Sequence, residues 1–148
     1  MIVRTRWTMP HTPEQLWPAL CDSRVELTPR CPVFCLGTPR PTECRLPEGH
    51  GEVGAARQCV SEQGTVRQRI TVWEPPARLA FHMEETDLCF GQIVDGLGDV
   101  FELTPDGTGT RITRTTTVSA SRWFAPALWV GLKSVHRFVF RNWQLRLR

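Results

Sequence analysis

Apolar positions recur with a helical period over residues 126–148, the longest helix that the chain predicts. At about 100° per residue, Lys133, Arg137, Arg141, Gln144 and Arg148 fall on one narrow polar stripe. Leu128, Leu132, Val135 and Val139 lie opposite, flanked by Phe138 and Trp143. Trp129, Phe140 and Leu147 widen the apolar surface on one side. More than half of the circumference therefore asks for cover, and such a helix must be embraced by other structure.

Upstream the period changes to two. Residues 2–8 place Val3, Thr5 and Trp7 on one side and Arg4, Arg6 and Thr8 on the other, a half-buried strand. A helix start follows, with Thr12 as N-cap, Pro13 at the first helical position and Gln15 completing a capping box. Leu16, Trp17 and Leu20 give this helix its buried face, and Pro18 keeps it short. A second short turn of helix is expected around Ser23 to Leu27. Residues 29–51 are rich in Pro and Gly without a period and read as a long loop. Residues 55–61 and 65–73 then flank a hairpin turn at Glu62-Gln63-Gly64. Glu74-Pro75-Pro76 breaks the ladder, and Leu79, Phe81 and Met83 alternate along the next strand. Residues 88–103 read as two strand pieces around a turn at Asp95-Gly96-Leu97-Gly98. Pro105-Asp106-Gly107 opens the last hairpin, and residues 111–118 form a Thr-rich final strand. Consecutive strands with short turns and segregated helices give an α+β fold, a single antiparallel sheet curled around the closing helix. One domain spanning 1–148 is expected.

Composition narrows the class. Hydrophobic residues make up 41% and charged residues 22%, which describes a globule rather than a disordered chain. No run of apolar residues is long enough to span a membrane and no secretory h-region opens the chain, so a cytoplasmic protein is expected. Net charge is +3, unevenly spread: eight Lys or Arg and no acid follow Asp106, whereas the first 106 residues hold ten bases and fifteen acids. The basic stripe of the closing helix lies opposite its aromatics, so no stacking platform for nucleic acid forms. The six cysteines of such a chain read as free thiols, with Cys21, Cys59 and Cys89 as small buried hydrophobes. Cys31, Cys35, Cys44 and His50 offer four soft ligands, but their spacing is not that of a zinc knuckle, and no metal or other cofactor is expected.

The segments TPEQLWPALCD (12–22), GAARQCVSEQGTVRQRITVWEPPARLAF (54–81) and DVFELTPDGTGTRITRTTTV (99–118), with the terminal helix, resemble the START-like (SRPBCC) superfamily. Within it they are most similar to the polyketide cyclase/dehydrase and lipid-transport group. Trp17, the run from Glu74 through Leu79, and Gly109-Thr110-Arg111 are the most specific matches, and they mark turns and packing rather than catalysis. The resemblance implies a helix-grip fold, a seven-stranded antiparallel sheet around the C-terminal helix with a hydrophobic cavity between them. It also implies an apolar ligand such as a lipid, polyketide or quinone, in a carrier or in an enzyme of the cyclase or hydrolase type.

On the residues alone, the inward faces could make either a solid core or a pocket. With the resemblance, Trp17, Phe81, Met83, Phe101, Leu132, Val135 and Val139 are expected to line a cavity. Asn142, Arg114 and Arg57 are its candidate polar selectors, although the facing of Arg57 is open. His82, Glu84 and Glu102 point away from the apolar faces and His136 is placed on the flank of the helix, so no catalytic constellation stands out. An interaction module using Trp129, Phe140 and Leu147 remains an alternative.

Overall fold

The computed structural model describes residues 1–25, 40–46 and 51–147. Strand β1 spans Ile2–Met9 and helix α1 Pro13–Cys21. The strands that follow are β2 (Asp22–Arg24), β3 (Pro41–Arg45), β4 (Ala56–Ser61), β5 (Gly64–Glu74), β6 (Arg78–Thr86), β7 (Val94–Asp106) and β8 (Gly109–Ala120). A 3-10 turn over Cys89–Gln92 precedes β7, and helix α2 runs Ala125–Arg146. All eight strands belong to one curled antiparallel sheet in the order β1-β8-β7-β6-β5-β4-β3-β2, with α2 against its inner side. This is the expected α+β helix-grip architecture with eight strands among the described residues instead of seven. No helix among them is long and apolar enough to cross a membrane.

Local chemistry explains most of the elements. The Thr12 hydroxyl accepts from the Gln15 N–H, and the Gln15 side chain accepts from the Thr12 N–H at 2.9 Å, so the capping box opens α1. Strand β1 buries Val3, Thr5 and Met9 and turns Arg4, Arg6 and Thr8 to solvent, as a period of two requires. The β7–β8 hairpin turns through Gly107 at φ 63, a left-handed conformation that glycine adopts without steric cost.

Three expectations about elements are corrected. The segment at Ser23 is strand β2, not a helical turn, because Asp22, Ser23 and Arg24 pair with Arg45, Cys44 and Glu43. Part of the long loop is strand β3, while residues 26–39 and 47–50, with Cys31, Cys35 and His50, lie outside the described residues. The turn at Asp95-Gly96-Leu97-Gly98 does not exist. Strand β7 runs through it, and Gly98 is paired on both sides, with His82 of β6 and Thr117 of β8. The β8 ladder runs along Gly96, Leu97 and Gly98, and β6 joins it at Gly98, which holds a glycine-rich segment extended where propensity alone would turn it.

The cysteines are also corrected. Cys44 and Cys59 sit opposite each other across β3 and β4 and are joined by a disulfide. Cys89 is exposed and Cys21 only half-buried. Spacing along the chain did not reveal the bridge, because sheet register brings the two residues together. The bridge closes a separation of 15 residues, so reduction should lower stability by about 3 kcal/mol. Urea denaturation with and without a reductant checks this, and coincident midpoints would refute it.

Helix α2 does two jobs. Its C-terminal half packs solidly: Val139, Phe140 and Trp143 join Met9, Leu16, Leu20 and Leu79 in the core. The Trp143 indole N–H donates to the Ser23 hydroxyl at 2.8 Å, and Asn142 and Arg146 donate to the Arg24 carbonyl, which latches this half to strand β2. Phe140 is fully buried and Leu147 packs against the core, so the interaction-module reading keeps only Trp129, which is 45% exposed. In the N-terminal half, Leu128, Leu132 and Val135 are only half-buried. They face a hollow.

Candidate functional site

Between the sheet and the N-terminal half of α2 lies a cavity of about 400 Å³. Phe81 of β6, Phe101 of β7 and Val118 of β8 form its floor, and Leu132, Val135 and Val139 of α2 its opposite wall. The inward register of each strand supplies one row of these side chains, because alternate residues share a face. Charge enters this apolar lining at three places, Arg57 on β4, Asp99 on β7 and Arg114 on β8.

Asp99 is 2% exposed and is held by two neighbours. Arg114 donates from Nε to Oδ1 at 3.1 Å and from Nη2 to Oδ2 at 2.9 Å, and the Thr116 hydroxyl donates to Oδ1. Burial alone would raise the Asp99 pKa, but the charge and hydrogen bonds of Arg114, with that of Thr116, bring it below its ordinary value. Having given its proton to Asp99, the Thr116 oxygen can only accept from His136 Nε2 at 2.8 Å, so that nitrogen carries the hydrogen. His136 Nδ1 then accepts from the Thr5 hydroxyl at 3.0 Å. The chain Thr5, His136, Thr116, Asp99, Arg114 is satisfied with the imidazole neutral.

His136 therefore occupies the centre of the buried face of α2, fully enclosed, and not the flank where the sequence placed it. Burial, and then the positive charge of Arg114, push its pKa down to about 3. A depressed histidine pKa gives stability that is fully present above the unfolded value of about 6.5. That stability is lost as pH falls toward 3, since the unfolded chain takes up a proton that the folded one refuses. Each unit is worth about 1.4 kcal/mol, so the protein should lose a few kcal/mol between pH 7 and pH 4. A His136→Gln variant should show a flatter decline in melting temperature over that range, and parallel curves would count against this assignment.

Arg57 is buried differently. It is 3% exposed, its Nη2 donates to the Leu20 carbonyl at 3.2 Å, and its guanidinium carbon stands 4.5 Å from the centroid of the Phe81 ring. Nε and Nη1 have no hydrogen-bond partner among the described residues. Burial, followed by the like charge of Arg114, lowers its pKa to about 10, which leaves it a cation at neutral pH. The partial burial of Cys21 raises its own thiol to about 11, partly offset by the charge of Arg57.

Seven of the ten expected pocket residues meet around the cavity: Arg57, Phe81, Phe101, Arg114, Leu132, Val135 and Val139. Three do not line it. Trp17 packs edge-on against Trp73 at 5.2 Å, and both pack against the hydrophobic core. Met83 is half-buried opposite Gln68, and Asn142 donates to the Arg24 carbonyl. The sequence reading missed Asp99 and misplaced His136. Extending the alternation of Leu103 and Phe101 back by two residues would have placed Asp99 on the inner face. Among the described residues no cluster of His, Cys, Asp or Glu could hold a metal ion, and Cys44 is engaged in its disulfide.

Comparison with known proteins agrees with this architecture. Protein MLL2253 from Mesorhizobium loti superposes with a TM-score of 0.70 at 19% identity, covering 99% of this chain and 96% of that one. Ara h 8.0201 gives a TM-score of 0.71 at 12% identity over 99% and 97%. A protein from Rhodobacter sphaeroides gives 0.70 at 19% identity over 99% and 91%. At these identities the likeness is one of fold. No curated protein matches the sequence. The family described as polyketide cyclase / dehydrase and lipid transport matches residues 2–146. The chain belongs to the polyketide cyclase / dehydrase and lipid transport family.

Proposed function

We propose that the chain binds and carries an apolar small molecule, a lipid, polyketide, quinone or similar aromatic, in the hollow between sheet and helix α2. The observation that carries this reading is the cavity itself, about 400 Å³ walled mainly by aliphatic and aromatic side chains. Protein interiors are packed without voids of that size, and ligand pockets run from about 300 to 1,000 Å³. Family membership supports the same class of ligand.

Acid–base chemistry of the cyclase or hydrolase type needs a general base at the cavity. Asp99 reaches the lining, but the Arg114 ion pair lowers its proton affinity. His136 is not a lining residue and has both nitrogens engaged by threonines. Neither is poised to move a proton near neutral pH, so carriage is favoured over cyclisation or hydrolysis.

Titration with the neutral fluorophore 1-aminoanthracene tests the binding reading. Wild-type protein should take it up, and Leu132→Trp, which fills the hollow from the helix side, should weaken uptake at least ten-fold while melting as a folded protein. Uptake unchanged by that substitution would place the fluorophore elsewhere and remove the support for this cavity.

A further inference from the structure

We propose that the molecule held in this cavity carries a single acidic group, a carboxylate, and that Arg57 receives it. The inference rests on the binding reading above and narrows it from any apolar ligand to an apolar acid. Three charged side chains line the cavity among the described residues, two cationic and one anionic. The anion is already taken, since Asp99 accepts two hydrogen bonds from Arg114 and a third from Thr116. Arg57 has no ion-pair partner among the described residues, only one carbonyl contact and the face of Phe81. Two of its nitrogens, Nε and Nη1, are buried with nothing to donate to among those residues.

A buried guanidinium without an ionic partner among the described residues is costly even after local relaxation. A methionine would fill the same space against Phe81 without that cost. Retaining the cation makes physical sense if a partner arrives from outside. Guanidinium groups match carboxylates in shape and charge, and their hydrogen bonds are about twice as strong as neutral ones. The charge balance selects the partner: the lining holds one surplus positive charge, which a monoanion cancels. A doubly charged phosphate would leave a net negative charge in an apolar chamber. The head group would meet Arg57 at the β4 side, and the apolar remainder would lie along Leu132, Val135 and Val139.

The test is displacement of bound 1-aminoanthracene by decanoate and by decan-1-ol, two ligands of equal chain length that differ in the charge of the head. At pH 7.5 decanoate should compete at least ten-fold more strongly than decan-1-ol on the wild-type protein. Arg57→Met should reduce that preference to within about two-fold, and Arg57→Lys should restore part of it. Equal competition on the wild-type protein would overturn the proposal without any variant, and so would a preference that survives in Arg57→Met. If 1-aminoanthracene does not bind at all, the binding reading itself fails and this inference falls with it. Binding of 1-aminoanthracene without acid preference removes the inference alone.

Discussion

Asp99→Asn should lower the free energy of unfolding by about 3–5 kcal/mol, the cost of breaking a buried ion pair from one side. The substitution keeps the shape of the side chain, so the loss is electrostatic. Arg114 would be left without its carboxylate in a cavity wall that already contains Arg57. The buried Arg57 and the part-buried Arg114 would then share that wall with no carboxylate among its described lining residues. Urea denaturation measures the effect. Adding Arg114→Met should recover a substantial part of the loss, because removing both partners is far cheaper than removing one. A loss under about 1 kcal/mol would mean that solvent reaches the pair.

Phe140→Ala should cost about 3–5 kcal/mol, the range for a buried phenylalanine. Phe140 has no exposure, and its ring lies between Trp7, 6.1 Å away centre to centre, and Trp143, edge-on at 5.7 Å. Truncation opens a void where α2 meets β1, and the hydrogen bond of Trp143 to Ser23 keeps that ring from filling it. Because this half of the helix is the solid half, the change should weaken 1-aminoanthracene binding far less than Leu132→Trp does. Thermal melting and the same fluorophore titration separate the two effects.

What could be read from the chain depended on how local each signal was. The capping box at Thr12 and Gln15 and the alternation of Val3, Thr5 and Trp7 involve neighbours in sequence, and the structure follows them. Strands β2 and β3 were invisible because they are short and polar, and exist through pairing with each other and with β4. The Cys44–Cys59 bridge was hidden for the same reason. Glycines 96 and 98 argued for a turn, and pairing of both with β8, and of Gly98 also with β6, overrode them, which also hid Asp99.

The helix shows a second limit of sequence pattern. A wheel drawn from hydrophobicity puts His136 on the flank, yet the threonines of β1 and β8 offer a polar seat that lets a histidine take a core position. The same wheel could not tell the half of α2 that packs from the half that borders a hollow. Leu132 and Val139 look alike in sequence, and both reach the cavity wall. Only Val139 also belongs to the solid core cluster.

The claim at the centre of this account is that the space beside Leu132, Val135 and Phe101 receives an apolar guest. Crystals of the protein grown with 4-bromobiphenyl test it directly, because bromine can be located by its anomalous signal. The account predicts a bromine peak inside the chamber, between α2 and the strands that bear Phe101 and Val118. Bromine found only at the exposed Trp123 and Trp129, with the chamber closed by its own side chains, would contradict it.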